Sequence, residues 1–242
     1  MKKKIIYAFY LLIAVIIVGV SLYLSVIYTP EIIGVVRDKE TGKPIKDAKV
    51  SIGWHTVQPS VGGDVHSKHR TLIITTDAEG KYRIPKKFML TYPCKPFSYI
   101  SVLFYAHEYH YVSHKSEYRR SFSNIVPTGR IETEVTPVLE KIKSDTIFYK
   151  YLNELPVQMI WVGDDIPFLV EESKLFLKKY PKSRHVESVL LGLMQLYTDL
   201  RDFKNAFIQA ELYIKKYPNS NAIPAIKLDI ELFKRGMKES DR

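Results

Sequence analysis

A chain of 242 residues with 46% hydrophobic and 26% charged residues carries enough apolar material for packed domains, which excludes a wholly disordered polymer. The net charge of +10 is spread as +3 over residues 1–30, +4 over 31–140 and +3 over 141–242, with acids among the bases in both later regions; that mixture argues against a polyanion groove, and no nucleic-acid partner is expected. The single cysteine, Cys94, excludes an intrachain disulfide and reads as a small apolar residue.

The first element is an uncharged apolar run from Ile5 to Tyr28, preceded by Lys2, Lys3 and Lys4. At about 1.5 Å per residue a helix of that length crosses the ~30 Å hydrocarbon core of a bilayer. Tyr7, Tyr10, Tyr23 and Tyr28 lie near its ends, where amphipathic rings favour the interface. A cleaved signal peptide fits less well, because the run is long and ends in bulky residues rather than a small-residue cleavage site. The expectation is a single-pass membrane protein held in lipid through residues 5–28. The positive-inside rule puts its N-terminus in the cytoplasm and its body in the extracytoplasmic space, the periplasm of a bacterial inner membrane.

The next region has a β pattern. Ile32–Val36 reads as a strand, followed by a polar turn from Asp38 to Pro44 and a second strand over Ala48–Ile52. Thr71–Thr76 is a third strand, and Asp77-Ala78-Glu79-Gly80 is a tight turn into Lys81–Pro85. Phe97–Tyr105, Tyr109–Val112 and Ile131–Val138 complete a set that suggests a small antiparallel sandwich.

Two strings in this region carry a resemblance. I-x-G-x-V-x-D-x-x-T-G-K-P-I-x-D-A-x-V, from Ile32 to Val50, and T-T-D-A-E-G-K-Y-R-I-P, from Thr75 to Pro85, resemble the two signatures of the carboxypeptidase regulatory-like domain. The resemblance implies a transthyretin-like β-sandwich that serves as a binding or accessory module and holds no catalytic residues. Two departures stand out: a His-containing insertion from Trp54 to Arg70, and His107-Glu108-Tyr109, where the family often has a glycine–aromatic pair.

Six histidines fall between His55 and His114, which raises a metal reading. His107-Glu108-Tyr109-His110 is one residue short of H-E-x-x-H and lies in a β-rich segment, so the helical zinc motif fails. His66 or His69 meeting His107 or His110 across two loops remains the candidate metal site, against a plainer reading of the histidines as exposed loop residues. Trp54 and Trp161 could anchor a partner, but core burial is the expectation for both.

From residue 144 onward the period becomes helical. Pro156 is expected to kink or end a first helix over Ser144–Val162. Val186, Val189, Leu190, Leu193, Met194 and Tyr197 recur at helical spacing, as do Phe203, Ala206, Phe207, Ala210 and Tyr213. Leu175–Ser183 aligns with Leu212–Ser220 at an offset of 37 residues, and the shared K-K-Y-P-x-S ending resembles tetratricopeptide-like repeats. The pairs Lys178-Lys179 and Lys215-Lys216 are candidate partner contacts, although lysines at helix ends also complement the helix dipole.

The expected fold class is therefore α+β in three parts: a cytoplasmic tip and transmembrane helix over 1–29, a small antiparallel β-sandwich over 30–140, and a tetratricopeptide-like helical region over 141–242. No catalytic constellation and no cofactor is expected. The expected function is a non-catalytic protein-binding or scaffold role in the cell envelope, with another envelope protein or a peptide as partner. Binding of envelope glycan or peptidoglycan through Tyr and Trp is the alternative, and metal binding through histidines a third.

Overall fold

The computed structural model describes the backbone of residues 2–58, 65–90, 97–117, 119–121, 124–128, 134–162 and 165–240, with side chains at 7, 9–19, 29–56, 70–87, 99–114, 134–159 and 165–239. The chain forms two compact units, one of Met1–Glu140 with Ile160–Gly163, the other of Lys141–Met159 with Asp164–Arg242.

The first unit opens with helix α1 (Lys2–Ser25) and continues through strands β1 (Val26–Thr29), β2 (Ile32–Val35), β3 (Arg37–Asp38), β4 (Lys49–Gln58), β5 (Val65–Thr75) and β6 (Lys81–Ile84). Strands β7 (Lys87–Leu90), β8 (Phe97–Tyr105), β9 (Val112–Glu117), β10 (Arg119–Ser121), β11 (Asn124–Thr128) and β12 (Val138–Leu139) follow.

The apolar run Ile5–Tyr28 is not one element. The helix stops at Ser25, and Val26–Thr29 pairs antiparallel with β7, Val26 opposite Leu90 and Thr29 opposite Lys87. Val, Ile, Tyr and Thr suit a pleated strand, and this strand leads into the core: Thr29 is fully buried and its Oγ1 accepts a 2.8 Å hydrogen bond from Trp54 Nε1. Among the described residues, whose side chains in α1 run from Tyr7 to Gly19, no helix is long and apolar enough to cross a membrane. That finding overturns the expected transmembrane anchor over residues 5–28. The single-pass, signal-anchor and periplasmic readings built on the anchor fall with it, and so does the fold class as first stated. The described architecture is an N-terminal helix, small sheets, and helices at the C-terminal side.

The largest sheet has the order β5-β4-β8-β9, all antiparallel. Strand β2 pairs with β6, and β3 runs parallel to β12. Alternate residues of the central strands, Val50, Ile52 and Trp54 on β4 with Ile100, Val102 and Phe104 on β8, share one core with Ile32, Tyr82, Ile84 and Leu139. The intervening residues Ser51, His55, Leu103 and Tyr105 are buried too, so both faces of the sheet centre are covered. The Trp54–Arg70 insertion is a continuation of the β4–β5 hairpin, with a bulge at Trp54/His55 and residues 59–64 outside the described set.

The signature residues serve the backbone. Asp38 Oδ1 accepts from Glu40 N at 2.9 Å and Thr41 N at 2.7 Å, closing the turn that Gly42 completes at φ 64°. Its Oδ2 accepts from Tyr109 Oη at 2.8 Å. These bonds, the Thr41 amide first and the Tyr109 hydroxyl second, pull the Asp38 carboxyl from 3.8 down to about 2. Burial, with the Asp38 bond next, pushes Tyr109 up to about 12. Tyr109 lies in a turn after β8 instead of the expected strand, which begins at Val112. Glu108 beside it takes φ 65°.

Among the described residues the second unit holds α2 (Asp145–Val162) as far as Met159, α3 (Ile166–Lys179), α4 (Val186–Asp199), α5 (Phe203–Lys216) and α6 (Ile223–Ser240). Pro156 lies inside α2 and does not end it; Tyr151, Leu155 and Met159 are buried on either side of the proline. The 37-residue repeat extends well beyond the similar residues. Asp165 and Asp202 cap α3 and α5, each accepting from the amide three residues on at 3.2 Å. Tyr180 and Tyr217 end those helices at φ/ψ −126/55 and −128/61, and their amides donate to Phe176 O and Tyr213 O, both at 2.8 Å. Ser183 N and Ser220 N donate to those tyrosines' carbonyls at 3.0 Å, and Val189 N and Ile226 N start α4 and α6 on His185 O and Ala222 O at 3.0 Å. Residues 165–189 and 202–226 thus repeat a single backbone plan.

The two copies of the repeat differ on one face. Moving 37 residues on from the buried Leu190, Met194 and Tyr197 of α4 reaches Lys227, Glu231 and Lys234 of α6, all exposed. Ile226 and Phe233 remain buried beneath them. Helix α6 keeps its buried side apolar and exposes Leu228 and Leu232 beside the charged Lys227, Glu231 and Lys234.

Candidate functional site

Two hollows lie among the helices of the second unit. One, of about 220 Å³, is lined by Tyr149, Asn153 and Pro156 of α2 and by Ser188, Gly192 and Gln195 of α4. The other, of about 390 Å³, is lined by Gln195 and Thr198 of α4, Phe203 of α5, and Asp229, Leu232 and Arg235 of α6. Gln195 borders both hollows, and the two together make up the groove of the helical unit.

The walls and floor differ in character. Leu232 is exposed at the rim, while Phe203 stacks on Phe233 with ring centroids 6.5 Å apart. Gln195 Nε2 donates to Asp199 Oδ1 at 2.9 Å. Gly192 is mid-helix and exposed, and a Cβ added there would meet nothing within 4 Å. Neighbouring helices therefore do not require a glycine at this position. Tyr213 Oη and Ser220 Oγ both donate to Glu187 Oε1, at 2.6 and 2.8 Å, and bind α5 and the turn after it to the start of α4. The tyrosine bond, then the serine bond, hold the Glu187 carboxyl below its ordinary value.

The candidate residues from the sequence fall elsewhere. Lys178 and Lys179 occupy the last turn of α3, and Lys215 and Lys216 the last turn of α5, all exposed and outside the groove. Lys179 Nζ lies 5.6 Å from the Tyr180 ring centroid, and Lys216 Nζ 5.7 Å from that of Tyr217.

The histidines are spread over the sheet. His66 pairs with Val57 near one end of β4, whereas Tyr105, just before the His107–His110 turn, pairs with Lys49 at the other end. Eight residues of strand separate those positions, roughly 27 Å. The backbone thus sets His66 and its neighbour His69 far from His107 and His110; the side chains of His66 and His69 lie outside the described set. Among the described residues no group of three or more His, Cys, Asp or Glu side chains is placed to hold a metal ion. His55, read as a loop residue, is fully buried in β4. It stacks on Tyr99 at 4.4 Å, and its Nε2 shares a 2.7 Å hydrogen bond with Ser101 Oγ. Trp54 is also fully buried, with Lys87 Nζ 5.1 Å from its ring; Cys94 and the Trp161 side chain lie outside the described residues.

A broad hollow of about 520 Å³ lies beside β2 and β6 in the first unit, bordered by Ile33, Ile74, Tyr82 and Arg83. The groove on the helices was missed in the sequence because its residues are the polar, small and solvent-facing positions that amphipathic periodicity discards. Gly192, a glycine inside a strong helical pattern, was the one available signal.

No protein-family model matches the chain, and no curated protein matches it. Among solved structures, 3-chlorocatechol 1,2-dioxygenase from Rhodococcus opacus 1CP is similar at 13% identity and a TM-score of 0.30, over 46% of this chain and 59% of that one. Wild-type catechol 1,2-dioxygenase from Acinetobacter radioresistens is similar at 17% identity and a TM-score of 0.27, over 50% of this chain and 53% of that one. The chain spans little more than half the length of these structures, and at such TM-scores the likeness bears on neither fold nor chemistry.

Proposed function

We propose that this chain is a non-catalytic binding protein whose helical unit holds a segment of a protein partner in the groove across α2, α4 and α6. The observation that carries the reading is the placement of Gln195 on both hollows with Gly192 open beside it. A glycine in mid-helix costs about 1 kcal/mol relative to alanine, and none of its neighbours in the unit needs the space. A close-packed peptide backbone does. The resemblance of the 37-residue repeat to tetratricopeptide-like units supports the reading, since such stacks present extended surfaces for peptides. The resemblance of Ile32–Val50 and Thr75–Pro85 to the carboxypeptidase regulatory-like domain supports an accessory role for the β unit. Glu108, at φ 65°, stands where that family often has glycine, a residue suited to that conformation.

Selection from a displayed random-peptide library against the full chain tests the proposal. Selected peptides should lose binding to the Gly192→Trp variant and keep it with Ile208→Trp, whose site is exposed on α5 away from the groove. Failure to select any peptide, or equal loss with both variants, would contradict it.

A further inference from the structure

Strand β5 forms one edge of the four-stranded sheet and β9 the other. A sheet edge offers backbone amides and carbonyls to any incoming strand, and folded proteins protect such edges with charges, prolines or bulges. Strand β9 carries Lys115 and Glu117. Strand β5 has no such protection over Thr71–Thr75. These residues are uncharged, β-branched except for Leu72, and free of proline. They pair with β4 in unbroken register, from Thr71 opposite Gly53 to Thr75 opposite Lys49, and the bulge of the hairpin lies past Arg70. Among the described residues no strand pairs with β5 on its outer side.

The occupant this edge fits is its own copy. Read antiparallel about Ile73, the stretch is nearly a palindrome: Thr71 faces Thr75, Leu72 faces Ile74, and Ile73 faces itself. Arg70 falls opposite Thr76, so no like charges meet. Threonine pairs and β-branched aliphatic pairs are favourable cross-strand neighbours. A two-fold axis requires this self-complementarity, because every contact is made twice with the roles exchanged. The faces of the strand agree. Leu72 and Ile74 pack partly buried against the core, while Thr71, Ile73 and Thr75 are exposed on the other face. Directly opposed residues share a face, so the copy's Leu72 falls beside Ile74, toward the hollow of about 520 Å³ that Ile33, Ile74 and Tyr82 border. Ile33, 47% exposed, lacks apolar cover there. We propose that two copies of this chain dimerise by antiparallel pairing of β5 with β5 about a two-fold axis at Ile73. The pairing joins the two four-stranded sheets into one and brings the partner's Leu72 toward Ile33. It rests on the β unit alone and is independent of the groove on the helices.

Cysteine crosslinking of the full chain, in a Cys94→Ser background, tests the register. Under mild oxidation Ile73→Cys should form covalent dimers at least about tenfold faster than Ser113→Cys, an exposed position on β9. Thr71→Cys mixed with Thr75→Cys should crosslink one to the other at least about fivefold faster than either does to itself, because four residues of strand separate the like positions. In sedimentation, the dimer dissociation constant should rise at least about tenfold in Ile73→Lys, which sets two cations face to face at the axis, and change less than about twofold in Ser113→Lys. Absence of any preference among the cysteine positions overturns the proposal. So does self-association that Ile73→Lys leaves intact, as association through the exposed apolar side chains of α1 would give. A chain that stays monomeric and takes a foreign extended segment along β5 would overturn it as well.

Discussion

Tyr213 on α5 donates a 2.6 Å hydrogen bond to the carboxylate of Glu187, in the first turn of α4 and 26 residues earlier in the chain. Ser220 Oγ reaches the same oxygen, so one carboxylate fastens a helix and the turn after it to the preceding pair. Because these bonds hold the carboxyl below its ordinary value, the linkage stabilises the fold above the ordinary glutamate range and is lost as pH falls through that range and below. Thermal melts across pH should show Glu187→Gln and Tyr213→Phe less stable than the unmodified chain at neutral pH, with the gap closing in acid. A gap independent of pH would refute the linkage.

Asp38 gives the β unit an acid limb of its own. Its carboxyl lies at about 2 in the folded chain against 3.8 ordinarily, so its contribution is whole above about pH 4 and disappears as pH falls toward 2. Asp38→Asn should lose that dependence, measured by tryptophan fluorescence of the buried Trp54 against pH.

Gly34 is required by close approach. An added Cβ would run into the Val135 carbonyl oxygen and come within 2.7 Å of Tyr82 Oη, which itself donates to that carbonyl at 2.6 Å. Gly34→Ala should destabilise the chain by about 2–4 kcal/mol, read as a lower urea midpoint.

Gly192 should behave in the opposite way. With open space around the added methyl, Gly192→Ala should stabilise the helices by about 1 kcal/mol, read from the same urea curves. Gly34 is in a strand against a carbonyl and Gly192 in a helix with open space, and the signs should differ accordingly.

The charged outer face of α6 predicts its own failure mode. Replacing Lys227 and Lys234 with Leu and Tyr restores the residue types that α4 has at the equivalent positions. Sedimentation should then show more concentration-dependent self-association than the unmodified chain.

The sequence announced much of this fold, unevenly. Helices α3 to α5 were legible because their core residues recur every three to four positions, and the K-K-Y-P-x-S echo revealed the repeat. Strands β2, β6 and β8 were equally clear, since alternation and the Asp77–Gly80 turn mark them. The run Ile5–Tyr28 was misread because hydropathy does not show where a helix gives way to a strand; Val26–Thr29 is apolar or β-branched and suits β1 as well. The separation of the histidines depended on strand register, which composition does not hold. The groove escaped notice for a related reason, since its residues carry no periodic signal and only their spacing across three helices makes a site.

Amide hydrogen exchange of the full chain, with and without a selected peptide, tests the central claim most directly. The account predicts new protection in residues 149–156, 188–199 and 229–239, with α5 and the β unit unchanged. Protection confined to the β unit, or spread over α5 while the groove helices exchange as before, would contradict it.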